Sequence, residues 1–240
     1  MFIGLILAGL ICMYFALSIN SYRQNQIETK KELRIVQGIA KDISLYKFYH
    51  KYGTERMGQV ISSAEHLLNA IRNPERQMNK EEIDLHLHKL TWLWLSATPT
   101  TEYVALSNSG EINLISSDAL RNKFREFNME QEKLLQFEAI QVRYVDLQLR
   151  PFLNSHIDRT TIDTYQKADS LITNHFSSPF KNTSSDLLNN REFANILTDL
   201  IFSTKRIMLP YRRMAIVIKE IEEIFTVKYP SIPIVEYNPF

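Results

Sequence analysis

Residues 193–225 decide the fold of this chain: they read FANILTDLIFSTKRIMLPYRRMAIVIKEIEEIF, and their apolar side chains recur every seven positions. Two interleaved apolar series of this kind define one face of a long helix, and Thr204 is the one polar residue in them. This seam predicts a helix that packs along its length, against the chain's own bundle or against another molecule. Its members are Phe193, Leu197, Leu200, Ile207, Tyr211, Met214, Ile218, Ile221 and Phe225.

A proline and two pairs of basic residues lie inside the same helix. Pro210 has no N–H to donate, so we expect it to kink the helix or divide it in two. The basic pairs Lys205-Arg206 and Arg212-Arg213 flank it. They are candidates for contact with anionic lipid headgroups or with an acidic partner, and a solvated helix face is the alternative.

The rest of the chain also reads as helix, because only six glycines and eight prolines interrupt 240 residues. We predict an all-α protein in four parts: residues 1–20, a juxtamembrane stalk over 21–52, an antiparallel helical bundle over 53–229, and an extended, proline-rich tail over 230–240. The proposed break after the stalk falls at Gly53-Thr54.

Capping residues place the inner helices. Asn79 and Glu82 have the spacing of a capping box, and Ser116 or Ser117 precedes the next apolar series. We expect that series to end at Pro151.

Residues 2–19 are eighteen consecutive uncharged, mostly apolar residues. As a helix they would be about 27 Å long, close to the hydrocarbon thickness of a bilayer. A cleaved signal peptide is the main alternative, but no basic residue precedes the apolar run and its end offers only a weak cleavage site. We therefore predict a transmembrane helix, and hence a single-pass protein that contacts the lipid bilayer.

Small residues recur at every fourth position of this predicted span. Gly4, Ala8, Cys12 and Ala16 would form one ridge, against which a second helix could pack closely, although small residues are common in all membrane helices. Basic residues follow the span and none precedes it. The positive-inside rule then favours a cytoplasmic body on a bacterial inner membrane.

No catalytic or cofactor motif stands out. His86 and His88 are two residues apart and so point to different sides of a helix, while Glu82 and His86 share a face as an expected solvated pair. We expect no metal and no cofactor. A net charge of +1 argues against a nucleic-acid binder, and Cys12, as the only cysteine, excludes an intrachain disulfide.

Three segments carry a family resemblance: ALSINSYR at 16–23, EYVALSNSGEINLI at 102–115 with Leu120-Arg121 after it, and NREFANIL at 190–197. In order and spacing they resemble an uncharacterised family of single-pass bacterial membrane proteins, known as a domain of unknown function. Tyr22 stands where that family has tryptophan, and its basic segment before the span is missing here. The resemblance implies an N-terminal span, a long stalk helix and a helical body, without a known activity.

These features predict a non-enzymatic, membrane-anchored interaction, scaffold or sensory subunit that works through association of helices with a protein partner or a second copy. Two alternatives stay open. One is a membrane-anchored sensor domain that binds a ligand between its helices. The other is an enzyme whose site gathers Glu and His residues from distant helices.

Overall fold

The computed structural model describes residues 2–75, 78–93, 95, 105–106, 108–159, 184–235 and 237, with the backbone alone for residues 2–9. All regular secondary structure in these ranges is helical, and they contain no strand, so the predicted all-α class is confirmed. In chain order the elements are α1 (Phe2–Arg72), α2 (Lys80–Leu90), a 3₁₀ helix (Glu111–Leu114), α3 (Asp118–Tyr144), a π segment (Val145–Leu149), α4 (Arg150–His156), a second 3₁₀ helix (Ser184–Asn189) and α5 (Arg191–Lys228).

Helix α1 runs without interruption for 71 residues, so the predicted break at Gly53-Thr54 is wrong. Glycine in a helix interior costs only about 1 kcal/mol. Gly53 is buried here, and the Thr54 hydroxyl donates to the His50 carbonyl one turn earlier instead of capping a new helix. Packing and a local hydrogen bond therefore carry the helix through the glycine.

The two prolines do not end their helices. Pro151 lies in the first turn of α4, where its missing N–H is tolerated, and the π segment connects α3 to α4 without a gap. Pro210 is buried inside α5, which continues from Arg191 to Lys228. The predicted stop at Pro151 is wrong because the first turn of α4 tolerates its missing N–H. Of the two outcomes predicted at Pro210, a kink or a division, the division is wrong, because tertiary packing outweighs the local cost of proline.

The capping predictions hold. The Asn79 side chain accepts from the Glu82 N–H at 2.8 Å, and the Glu82 carboxylate accepts from the Asn79 N–H at 3.2 Å. Ser117 accepts from the Leu120 N–H at 3.3 Å at the start of α3. Gly110, at φ 75°, forms the left-handed turn before the first 3₁₀ helix.

Contacts divide the chain into two units, each assembled from segments that are distant in sequence. The first unit comprises residues 1–47, 98–125 and 218–240, and the second comprises 48–97 and 126–217. The long helices α1, α3 and α5 each run through both units.

Each unit has buried apolar side chains of its own. In the second unit α1, α2, α4 and α5 enclose one cluster that includes Leu67, Leu87, Leu149, Phe193 and Leu197, and all five are fully buried. In the first unit Val36, Leu120 and Ile221 are fully buried on α1, α3 and α5.

Several predictions from the sequence lie outside the described residues. The apolar spacing from Ile83 to Leu90 predicts a buried Trp94 and a helix end near Thr98-Pro99, and the sequence also predicts a helix from about residue 160 to 175. The same holds for most of a predicted loop over 177–185, and for residues 101–104 at the start of a segment predicted as a short helix, a turn and a short apolar piece.

Among the described residues, no helix holds a stretch long and apolar enough to cross a membrane. The predicted transmembrane helix therefore has no support from this part of the chain.

Candidate functional site

The N-terminal part of α1 exposes apolar side chains in every direction around the helix. Between residues 10 and 19 seven large apolar residues have exposed fractions of 51 to 70%. They are Leu10, Ile11, Met13, Tyr14, Phe15, Leu17 and Ile19. Every residue from 10 to 31 is exposed, and the helix first becomes partly covered at Glu32. A continuous apolar surface of this kind marks a site of interaction.

Half of the predicted small-residue ridge lies in this exposed part. Cys12 and Ala16 are both exposed and lie one turn apart, on the same face of α1. Gly4 and Ala8 belong to α1, and the structure describes only the backbone there.

The seam of α5 lies inside the chain. All of its apolar members have exposed fractions of 4% or less, and Thr204 is fully buried among them. The members from Phe193 to Met214 belong to the second unit, whereas Ile218, Ile221 and Phe225 belong to the first. The described structure therefore uses this seam within the molecule.

A buried polar layer joins α3 to α5 in the second unit. The Gln141 amide donates to the Thr204 hydroxyl at 3.0 Å, and that hydroxyl donates to the Leu200 carbonyl at 2.7 Å. One turn before Gln141 on α3, the buried Glu138 carboxylate accepts from the Tyr211 hydroxyl of α5 at 3.1 Å. These pairs fix the register of the two helices, because a shift would leave buried polar groups without partners.

His50 extends this layer to α1. Its Nε2 lies 2.6 Å from the Tyr211 carbonyl oxygen, which accepts, so Nε2 carries the proton. Burial lowers the pKa of His50, and the hydrogen bond to the carbonyl opposes this shift only in part. Because the folded pKa is depressed, stability is complete above the unfolded value of about 6.5 and falls as the pH drops below it.

The four cations near Pro210 are all exposed, but three of them have partners within the second unit. Lys205 pairs with Glu65 at 2.8 Å, and Arg213 lies 3.7 Å from the buried Glu130. The Arg206 guanidinium lies 5.0 Å from the centre of the Phe137 ring. Together with Arg212 they form a basic surface that partly neutralises acidic neighbours.

The first unit holds a pocket of about 380 Å³ at the end of α5. Glu222, Phe225, Tyr229, Ile232 and Pro233 contribute to its wall. Its one carboxylate is not free, because the Lys47 ammonium group lies 2.5 Å from Glu222. The pocket is therefore lined by both apolar and polar groups, with a neutralised ion pair at its edge.

Glu32 is the common acceptor in a cluster of hydrogen bonds that includes Tyr229 of the pocket wall. It accepts from the Tyr229 hydroxyl at 2.6 Å and from the Ser116 N–H and hydroxyl at 2.7 Å. Burial acts to raise the pKa of Glu32, but these hydrogen bonds lower it below its ordinary value. Burial and the bond to Glu32 raise the pKa of Tyr229 to about 12. The cluster ties the tail after α5 to α1 and to the segment before α3.

Two histidines that are twenty residues apart meet between α1 and α2. The rings of His66 and His86 are stacked, with their centres 5.0 Å apart. In the sequence, helical spacing pairs His86 with Glu82, and no local pattern predicts a contact between His86 and His66. The two rings come together because α1 and α2 pack into the same core of the second unit.

No group of three or more His, Cys, Asp or Glu side chains in the described ranges could hold a metal ion. No protein-family model, curated protein or solved structure matches the chain. The resemblance to a family of single-pass bacterial membrane proteins therefore stays a prediction.

Proposed function

We propose that this chain is a non-enzymatic, membrane-anchored helical scaffold or sensory subunit that acts through association between helices. The observation that carries this proposal is the apolar surface of α1 between Leu10 and Ile19, which is exposed on all sides of the helix. A protein partner would cover one face of such a helix, whereas a bilayer surrounds every face. In the sequence, residues 2–9 are also uncharged and mostly apolar.

The sequence after the apolar segment favours a body on the cytoplasmic face of a bacterial inner membrane. Arg23, Lys30, Lys31 and Arg34 follow it, and all four are exposed. Cations this close to a span are retained preferentially on the cytoplasmic side. The exposed residues from 20 to 31 would then separate the bilayer from the packed part of α1.

Extraction of membranes with alkaline carbonate tests the anchor. We expect the full chain to stay in the membrane pellet, and a Leu10→Lys/Leu17→Lys variant to be released, because each buried lysine costs about 3 kcal/mol in a span. Gln24→Lys/Asn25→Lys is the matched control, since it adds the same charge to exposed positions beyond the apolar segment. Release of the wild-type chain, or equal release of both variants, would overturn the anchor.

The small-residue ridge supports association through the anchor. The test is the mass of the chain in nanodiscs, compared with a Gly4→Leu/Ala8→Leu variant. We expect a wild-type oligomer that dissociates in the variant, because leucine keeps the helices apart. A monomer in both cases would refute association through this ridge and leave a different protein partner to be sought.

A ligand-binding sensor is the second candidate, and the pocket at the end of α5 supports it. Its volume of about 380 Å³ falls within the range of small-molecule sites. Native mass spectrometry of the purified chain should then show a bound small molecule that Ile232→Trp excludes. Val235→Trp, at an exposed tail position, is the control. An enzyme with a site built from distant Glu and His residues has less support, because the described His side chains meet in pairs at most.

A further inference from the structure

We propose that His66 of α1 and His86 of α2 form a binding site for a divalent transition-metal ion such as Zn²⁺ or Cu²⁺. Imidazole nitrogen is a preferred ligand of both ions. A tetrahedral ion at 2.0–2.1 Å from one nitrogen of each ring would hold the ring centres about 5 Å apart. The observed separation is 5.0 Å, but the ring planes are only 13° apart, so binding requires the rings to turn until one nitrogen of each faces the ion.

The hydrogen bond of His66 prepares that ring as a ligand. Its Nδ1 lies 2.7 Å from the Ser62 carbonyl oxygen, so the proton of the neutral ring lies on Nδ1. The lone pair then lies on Nε2, which is free to bind a cation. Donation from the second ring nitrogen to a backbone carbonyl is the usual support for a metal-binding histidine. His66 is exposed, so an ion can reach it from solvent.

His86 contributes an unused nitrogen. Its Nδ1 is buried and has no hydrogen-bond partner among the described residues, which is costly for a polar atom. A neutral imidazole ring carries a lone pair on one nitrogen, and this is the form that binds metal.

Among the described residues, the surroundings leave the site with two protein ligands. Glu82 is held in the capping box, Glu65 pairs with Lys205, and Lys89 is a cation. Water would complete the coordination shell, so we expect moderate affinity and easy exchange. The ion would link α1 to α2.

The test uses the full chain without a histidine tag, freed of metal with a chelator. We expect one Zn²⁺ to bind saturably, as followed by competition with a chromophoric chelator. His66→Ala and His86→Ala should each weaken binding at least tenfold, because either change leaves a single imidazole. His156→Ala is the matched control, since that partly exposed ring stacks on Phe152 instead of on another histidine, and its affinity should stay within twofold.

Paramagnetic resonance of bound Cu²⁺ gives a second readout that needs no variant. The wild-type spectrum should show splitting from two imidazole nitrogens. One nitrogen in that spectrum, or a Zn²⁺ affinity that His86→Ala leaves unchanged, would overturn the site. Loss of the site would leave the proposed membrane anchor untouched, because the two are tested by different variants.

Discussion

The buried pair Gln141 and Thr204 allows a prediction whose size and sign both follow from the hydrogen bonds. Thr204→Val keeps the shape of the side chain but removes the acceptor of the Gln141 amide, which is 2% exposed. A buried donor left without its partner costs about 1–3 kcal/mol. The added methyl group returns at most about 0.8 kcal/mol of apolar burial. We therefore expect the free energy of unfolding to fall by about 1–2 kcal/mol.

Replacing the other partner of this hydrogen bond should cost less. In Gln141→Leu the Thr204 hydroxyl keeps its donation to the Leu200 carbonyl, and a buried amide is replaced by an apolar group of similar size. We expect a change within about 1 kcal/mol. In the double variant neither polar group remains, so the loss should be smaller than the sum of the two single losses by about 1 kcal/mol or more.

Urea unfolding of the full chain and the three variants in one detergent measures these differences. Parallel slopes in urea would show that the four proteins expose the same surface. A neutral Thr204→Val, or a double variant whose loss equals the sum of the single losses, would refute the view that this hydrogen bond couples α3 to α5.

Three further changes test other parts of the structure. His50→Gln keeps a donor for the Tyr211 carbonyl but cannot titrate, so its stability should fall less than that of wild type between pH 7 and pH 5, as measured by thermal unfolding. Phe193→Ala, in the core, should cost about 3–5 kcal/mol in urea unfolding, whereas Phe202→Ala, 64% exposed on the same helix, should cost less than about 0.5 kcal/mol. Gly58→Ala, with open space around a helical position, should stabilise the chain by about 0.5–1 kcal/mol, and Gly110→Ala, at positive φ, should destabilise it by about 1 kcal/mol.

Each of these has a clear contrary result. Identical pH profiles for wild type and His50→Gln would mean that the burial of this ring does not depress its pKa. Equal costs at Phe193 and Phe202 would mean that α5 is turned differently. A stabilising Gly110→Ala would mean that the turn does not need a left-handed residue.

Local chemistry made part of the fold predictable. The capping box at Asn79 and Glu82 depends on a spacing of three residues, and it formed as the sequence indicated. The seam of α5 depends on a seven-residue repeat, and it is buried as such a repeat requires. Both signals lie within one element, where a single sequence carries all the relevant information.

Predictions failed where tertiary packing outweighed a local preference. Gly53 and Pro210 each carry a penalty of a few kcal/mol at most, and burial of the surrounding helix exceeds it. Pro151 instead lies in the first turn of α4, where proline is tolerated. The contact between His66 and His86 was missed for a different reason. Residues twenty apart meet only through the pairing of two helices, and no periodicity within one helix reports that pairing.

The anchor is the central claim, and Cys12 tests it directly because it is the only cysteine and its side chain is exposed on α1. The measurement is the rate at which a charged maleimide labels this thiol in membranes opened by freezing and thawing, before and after detergent is added. Gln24→Cys in a Cys12→Ser background is the control, and it should react once the reagent can reach its side of the membrane. We predict that Cys12 stays unlabelled in membranes opened by freezing and thawing and reacts only in detergent. Rapid labelling of Cys12 in intact bilayers, at the rate of the control, would contradict the account.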